Sequence, residues 1–543
     1  MTHHKRTTLA SIGLLTAGAL VLSGCGAVGE LRDRILDGTR TDPTGRPTEP
    51  SAMPTVEEDF PYTKQGRLFL DTGDDTQTEM SITALERTDD HTVLYVDHTY
   101  LDDVSGSVQR MSTPPTLIDP VSGRVYPMLR TPDGEDTYGS YTDSGKFPIY
   151  EGVPREFRYY FPRVPADVRQ LTFVGSGMGA MTGIPVQDVE KEQPAPASPN
   201  VDEYENTEPP EGTSITFPVE RPAEDAKSGV TDLESFVDSK EASTTREGDT
   251  ETIALHSDVM FEFDKSELTG EATEIVRKAA ESLKANVDPE ESRITVIGHS
   301  DGKGGDGYNA KLSEQRADTV SRILKKELGG DYRFSTEGRG ATDPVAEEGG
   351  ADDEEARARN RRVEFSYKVS RDSAKGGARD GRSEAEGALG SAARNVGSPA
   401  PFEAEDGDVA GTATEGDVRL DVHPLVRDGA YLIGTVSLTN TGEDPVELDL
   451  SGGEGRRKGG PTKFGKGTLG GFQLIEPETD LVRYVAQMRV GEDEYAGLAE
   501  ELQALQPGEA YRAIAVFPAP ASKVTELSLH AGPFGEIEDV PVS

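Results

Sequence analysis

The sequence predicts a multidomain chain: a central α/β (α+β) sandwich flanked by two related all-β sandwich domains. Three observations carry that expectation. Residues 246–371 alternate strand-like with helix-like periodicity, the pattern of layered α/β domains. Residues 61–188 and 415–543 run instead in short alternating apolar stretches separated by turns such as Asp133-Gly134, the pattern of antiparallel sheets. The two β regions also echo one another without a gap. Phe161-Pro162 matches Phe517-Pro518 and Ile184-Pro185-Val186 matches Val540-Pro541-Val542, both 356 positions apart, and Leu117-Ile118-Asp119-Pro120 resembles Leu474-Ile475-Glu476-Pro477.

Taken in order, the chain opens with His3, His4, Lys5 and Arg6, an apolar run from 9 to 22, and then Leu22-Ser23-Gly24-Cys25. This resembles a bacterial lipoprotein signal peptide (residues 1–24) with its lipobox. Cys25 is the only cysteine in the chain, so an intrachain disulfide is excluded. The resemblance makes its thiol the acceptor of a diacylglycerol that attaches the protein to a membrane, each buried CH₂ contributing about 0.8 kcal/mol. Residues 25–60, rich in Pro, Thr and Asp, read as a tether. In the first β region, 61–188, His91 and His98 read as cross-strand surface residues and the Gly175 to Gly179 cluster as a turn. Residues 189–245 hold 14 acidic and 4 basic side chains and seven prolines, which predicts a disordered, self-repelling linker.

The central region carries the chemistry. Residues 293–297 (Arg-Ile-Thr-Val-Ile) are a β-branched run that reads as a buried strand delivering Ser300 and Asp301 to the Gly-rich loop 302–307. From Leu312 to Leu328 apolar residues recur at three-to-four-residue steps, an amphipathic helix that begins at Leu312 or as early as Asn309. Arg316 lies on its first turns. A carboxylate at a strand end and a guanidinium near a helix N-terminus can grip a zwitterion, Asp301 taking an ammonium and Arg316 a carboxylate. Asn309 is either a third ligand-binding residue or a helix cap. Arg361, at the head of a strand over 363–369, either pairs structurally or faces the same pocket. Taken alone, Asp301 and Arg316 would read as solvated surface charges.

A wider set of motifs changes that balance. Val259-Met260-Phe261-Glu262-Phe263-Asp264, Gly298-His299-Ser300-Asp301, Asn309, Leu312-Ser313, Arg316-Ala317, Gly338-Arg339-Gly340 and Ala358-Arg359-Asn360-Arg361-Arg362 follow one another in order. Together they resemble the OmpA-like peptidoglycan-binding family, which includes the peptidoglycan-associated lipoproteins and the MotB periplasmic domain. The resemblance implies an OmpA-like sandwich over 246–371 in which Asp301 and Arg316 hold the diaminopimelate of the peptidoglycan peptide stem. Ser300 replaces the usual Thr and keeps the hydroxyl. An acidic insertion, 347–355, precedes the last strand and could alter access to the pocket.

Residues 372–414, rich in Gly, Ala, Ser and Glu, read as a second low-complexity linker before the β region 415–543. No HExxH, no Gly-x-Ser-x-Gly and no calcium loop is present, Leu312 standing where a bidentate Glu would be needed. The expected protein is therefore a binder without catalytic residues, metal or cofactor. A net charge of −43 excludes nucleic acid as a partner. The expected role is a lipid-anchored protein of the extracytoplasmic envelope, on the cell membrane or an outer membrane, tethering membrane to cell wall. The alternative is an adhesion or protein-interaction module, a protein partner binding the β domains while the OmpA-like domain immobilises them on the wall.

Overall fold

Alternation of apolar and polar residues drives most of the chain into antiparallel sheets. The computed structural model describes residues 60–451 and 468–543 apart from 70–74, 103–105, 109–114, 176, 263, 288–290, 347, 350–352, 370–396, 478, 480, 490–494, 499–501 and 503. The signal segment, Cys25 and the tether up to residue 59 lie outside the described residues, as does the first part of the second linker. Residues 58–543 form one compact unit.

The first β region contains β1 (Tyr62–Phe69), β2 (Asp75–Arg87), β3 (His91–Tyr100), β4 (Thr116–Asp119), β5 (Arg124–Pro127), β6 (Arg155–Pro162), β7 (Gln170–Gly175) and β8 (Gly179–Pro185). The ladder β1-β2-β3-β6 belongs to one sheet and β8-β7-β4-β5 to another. Ile82, Leu94, Val96, Phe157 and Phe161 of the first close on Leu117, Tyr126, Leu171, Phe173 and Met181 of the second. His98 departs from its expected surface position: it is fully buried, edge-on to Phe157, and burial, with Arg155 adding to it, pushes its pKa down to about 3.

Next in the chain come β9 (Thr231–Asp238), β10 (Ala242–Glu247) and β11 (Thr250–His256), then the short helix α1 (Ser257–Met260) and α2 (Gly270–Asn286). They are followed by β12 (Arg293–His299), α3 (Asp306–Leu328), β13 (Arg333–Gly340), α4 (Asp353–Asn360) and β14 (Arg362–Lys368). The strand order is β10-β11-β14-β12-β13, with β12 and β13 parallel. Ala272, Val276 and Leu283 of α2 and Ala317, Val320 and Leu324 of α3 pack on Ile253, Leu255, Ile294, Val296, Val363 and Phe365. The side chain of Thr269 accepts the Ala272 N–H and starts α2.

The last β region comprises β15 (Val418–Val422), β16 (Tyr431–Asn440), β17 (Gln473–Ile475), β18 (Val482–Tyr484), β19 (Gln487–Arg489), β20 (Ala510–Pro518), β21 (Glu526–His530) and β22 (Glu536–Pro541). Its pairings mirror the first region. Thr172 pairs with Ile118 between β7 and β4, and Ser528 with Ile475 between β21 and β17. Asp119 accepts the Ser122 hydroxyl at 2.6 Å, and Glu476 that of Thr479 at 2.9 Å.

Three expectations about organisation are corrected. Residues 189–245 are not a disordered linker: Val201, Ile215 and Phe217 are buried in the first core, and residues 231–247 form β9 and β10. Composition misleads here because the buried Leu233, Ser235 and Val237 alternate with the half-buried Asp232, Glu234, Phe236 and Asp238, so the strand buries one face fully and carries its charges on the other. Residues 397–414 are not free either: the Ala400 N–H donates to Asp428, the Pro401 carbonyl accepts Thr182, and Asp406 pairs with Lys64 and Arg512. Finally, the flanking β regions are not separate domains. One 16-stranded sheet runs through all three parts, β9 pairing with β5, β10, β18 and β19. Ile118, Val125, Val174, Tyr431, Ile433, Ile514 and Val516 form a further apolar cluster between the two β regions.

Candidate ligand-binding site

The candidate site is positioned by a close approach of α3 to the ends of β12 and β13. A Cβ at Gly298 would lie 2.0 Å from the Ser313 carbonyl oxygen, and one at Gly338 would lie 2.4 Å from the Glu314 nitrogen. Only glycine admits the helix at these two points. The Ser300 N–H donates to the Gly340 carbonyl at 2.8 Å, fixing the loop as it leaves β12. Asp301 follows at the strand's mouth.

Asp301 is held at both carboxylate oxygens. Oδ1 accepts the Lys303 N–H at 3.1 Å and Oδ2 accepts Arg361 Nη1 at 2.7 Å. The Ser300 hydroxyl donates to the Asp301 carbonyl at 3.1 Å. Asn309 does not cap the helix, because α3 begins at Asp306 with Gly305 as its N-cap. Its Nδ2 instead donates to the Asp301 and Lys303 carbonyls at 3.3 and 3.0 Å, tying helix to loop.

Arg316 is 6% exposed, with Nε donating to the Lys265 carbonyl at 3.0 Å and its guanidinium carbon 5.0 Å from the Phe261 ring centre. That contact is a cation–π interaction. Burial pushes the Arg316 pKa below its ordinary value, against the opposing pull of Asp258. Its two Nη groups have no hydrogen-bond partner among the described residues. Arg316 and Asp301 do not bond to one another. The cation on Asp301 is Arg361, which also grips Asp258 through Nε and Nη2 at 2.7 and 2.6 Å and Glu354 at 3.0 Å. The Asp258 bonds, ahead of the others, raise the Arg361 pKa further above its already high value.

Sequence reasoning missed Asp258, Glu348 and Glu354. Asp258 and Arg361 are 103 positions apart, and no spacing rule connects them. The acidic insertion does reach the site: Glu348 accepts the Gly302 N–H at 3.0 Å, while Asn360 accepts the Val345 and Ala346 N–H groups and donates to Glu348. The result is a carboxylate of fixed direction and, on the same domain, a buried guanidinium whose outer donors have no partner among the described residues. Such a pair can bind a ligand carrying both an ammonium and a carboxylate.

The OmpA family model matches residues 260–361. The chain is 38% identical over 119 residues to outer membrane protein A of Bordetella avium, a stretch covering 22% of this chain and 58% of that protein. It is 38% identical over 115 residues to outer membrane porin F of Pseudomonas aeruginosa, covering 21% of this chain and 31% of that one. This chain therefore spans less than two thirds of the curated relatives it matches. Among solved structures, the cell wall anchor of the T6SS from Pseudomonas aeruginosa matches at 30% identity over 24% of this chain and 90% of that one, with a TM-score of 0.22. The peptidoglycan-associated lipoprotein from Burkholderia pseudomallei matches at 27% identity over 21% and 88%, with a TM-score of 0.18. Residues 260–361, with Asp301 and Arg316 among them, are an OmpA-family domain within this chain.

Proposed function

We propose that this protein is a lipid-anchored component of the cell envelope that binds peptidoglycan non-covalently through its OmpA-family domain and so tethers a membrane to the cell wall. The observation that carries the reading is the presence of a pinned Asp301 carboxylate and of Arg316 Nη donors without a partner among the described residues, both inside the segment that matches the family. In this reading Asp301 takes the side-chain ammonium of the stem's diaminopimelate and Arg316 takes its carboxylate. Asn309 and Ser300 hold the loop, and Arg361 orients Asp301. The protein binds and does not catalyse. Cys25 carries the lipid.

Titration of the whole chain with soluble muropeptides containing diaminopimelate tests the site. Loss of one charge-assisted contact, about 1.5–3 kcal/mol, should weaken binding roughly tenfold to a hundredfold in Asp301→Asn and in Arg316→Ala. Variants that keep their circular dichroism spectrum and wild-type affinity would remove the basis of the assignment. The whole chain is required because a cut at residue 246 would sever β10. The anchor is tested separately by labelling with radioactive palmitate, which Cys25→Ala should abolish.

A further inference from the structure

A cavity of about 330 Å³ lies against the face of the β9-β10-β11-β14 sheet that α2 and α3 leave uncovered. Ile253 and Leu255 of β11 point to the helices, so the alternating pleat turns Thr252, Ala254 and His256 to the other side, where they line the cavity. Phe236, Ser243 and Thr245 extend the lining from β9 and β10. Those two strands precede the family-matched segment, while Val345, Glu355, Ala358 and Arg359 belong to it, so the cavity joins that segment to strands outside it. Its size falls at the low end of the range of about 300–1,000 Å³ for small-ligand pockets.

The lining mixes apolar surface with polar groups of both signs. Phe236, two alanines, two valines and the methyl groups of two threonines lie among hydroxyls, and Lys240, Arg359 and Arg362 face Asp238, Asp258, Glu355 and Glu364 across it. Arg359 pairs with Glu355 through Nη2, while its buried Nε has no hydrogen-bond acceptor among the described residues, a donor waiting for an oxygen. A purely anionic or cationic ligand would meet like as well as opposite charges in this lining. A sugar ring, with one apolar C–H face and a rim of hydroxyls that both donate and accept, meets no like charge. The cavity is linked to the Asp301 site through one residue: Asp258 lines it and is bonded to Arg361, which holds Asp301.

We infer that this cavity binds a saccharide unit of the wall polymer's glycan strand while Asp301 and Arg316 hold the peptide stem. The inference rests on the peptidoglycan reading of the neighbouring site, and two separate probes distinguish their failures. The whole chain is titrated with a peptide-free N-acetylglucosamine oligosaccharide and, separately, with a sugar-free stem peptide containing diaminopimelate. Ala254→Phe, which fills the cavity, and Arg359→Gln, which shortens the side chain and removes the buried Nε donor, should each weaken sugar binding by about tenfold or more and leave stem-peptide affinity unchanged. Asp301→Asn should do the reverse. The inference is overturned if the folded wild type shows no saturable sugar binding, if folded Arg359→Gln retains full sugar affinity, or if the cavity variants lose the peptide in place of the sugar. Sugar binding without stem-peptide binding would sink the assignment of Asp301 and Arg316 while leaving this cavity's role standing.

Discussion

Gly298→Ala should disable the candidate site without touching any group that would contact ligand. The new methyl would stand 2.0 Å from the Ser313 carbonyl oxygen and 2.7 Å from its carbon, both backbone atoms of α3. Restoring ordinary contact requires helix and strand to separate by about 1 Å, and overpacking of this kind costs roughly 1–3 kcal/mol. The displacement acts on function because Asn309 and Arg316 ride on α3 while Asp301 lies on the loop that leaves β12. A site whose groups must stay within about 0.5 Å of productive geometry tolerates no such shift. Stem-peptide affinity should fall at least about tenfold at temperatures where the variant remains folded. Urea denaturation gives the stability change and calorimetric titration the affinity. A variant with wild-type midpoint and wild-type affinity would show that the helix is not seated on this glycine.

Three further outcomes follow from the geometry. Arg361→Ala should cost about 2 kcal/mol of folding stability, roughly one charge-assisted bond, because the more exposed Asp258 and Glu354 rehydrate while Asp301 remains mostly buried; a shift in the denaturation midpoint near zero would contradict this. Asp428 is buried between the β regions, where burial raises its carboxyl pKa to about 6 although Thr172 and Ala400 donate to it. A carboxyl whose folded pKa lies above its unfolded value of 3.8 contributes stability that is complete below about pH 4 and is lost as pH rises through about 6, here up to roughly 3 kcal/mol. Asp428→Asn should remove that component, and equal pH slopes for wild type and variant in thermal melts from pH 4 to 7.5 would refute it. Limited proteolysis should spare residues 201–247, and early cleavage there would contradict the strands described.

Local pattern made some of this legible and long-range pairing hid the rest. Ile294 and Val296 gave β12, and the recurrence from Leu312 to Leu328 gave most of α3, since each buries one face. The first turn of α3 escaped because Asp306, Gly307 and Tyr308 face solvent and carry no apolar period. Asp301, Asn309, Ser300 and Arg361 come together as one hydrogen-bonded group, although Arg361, which was open to either role, proved to be the residue that organises it. Asp258 was illegible because its partner is set by tertiary closure. The acidic stretch 189–245 was misread because charge averaged over a window conceals a strand that alternates charged and apolar residues.

The pairing of β9 with four different strands also defines where this molecule could be cut and grafted. A transplant of the OmpA-family segment by its matched limits, 260–361, would leave β11 and β14 behind and strip the domain of half its sheet. A cut at 246 would keep β11 but divide β10. The portable piece begins at Thr231, and its removal opens β5, β18 and β19 in both β regions at once. One inserted residue within β9 would likewise turn Leu233, Ser235 and Val237 out of their buried positions and disturb all of these pairings together. Homologues that share only the OmpA-family segment are therefore poor donors for chimaeras with this chain, whereas those that also carry an equivalent of residues 231–247 could exchange it whole.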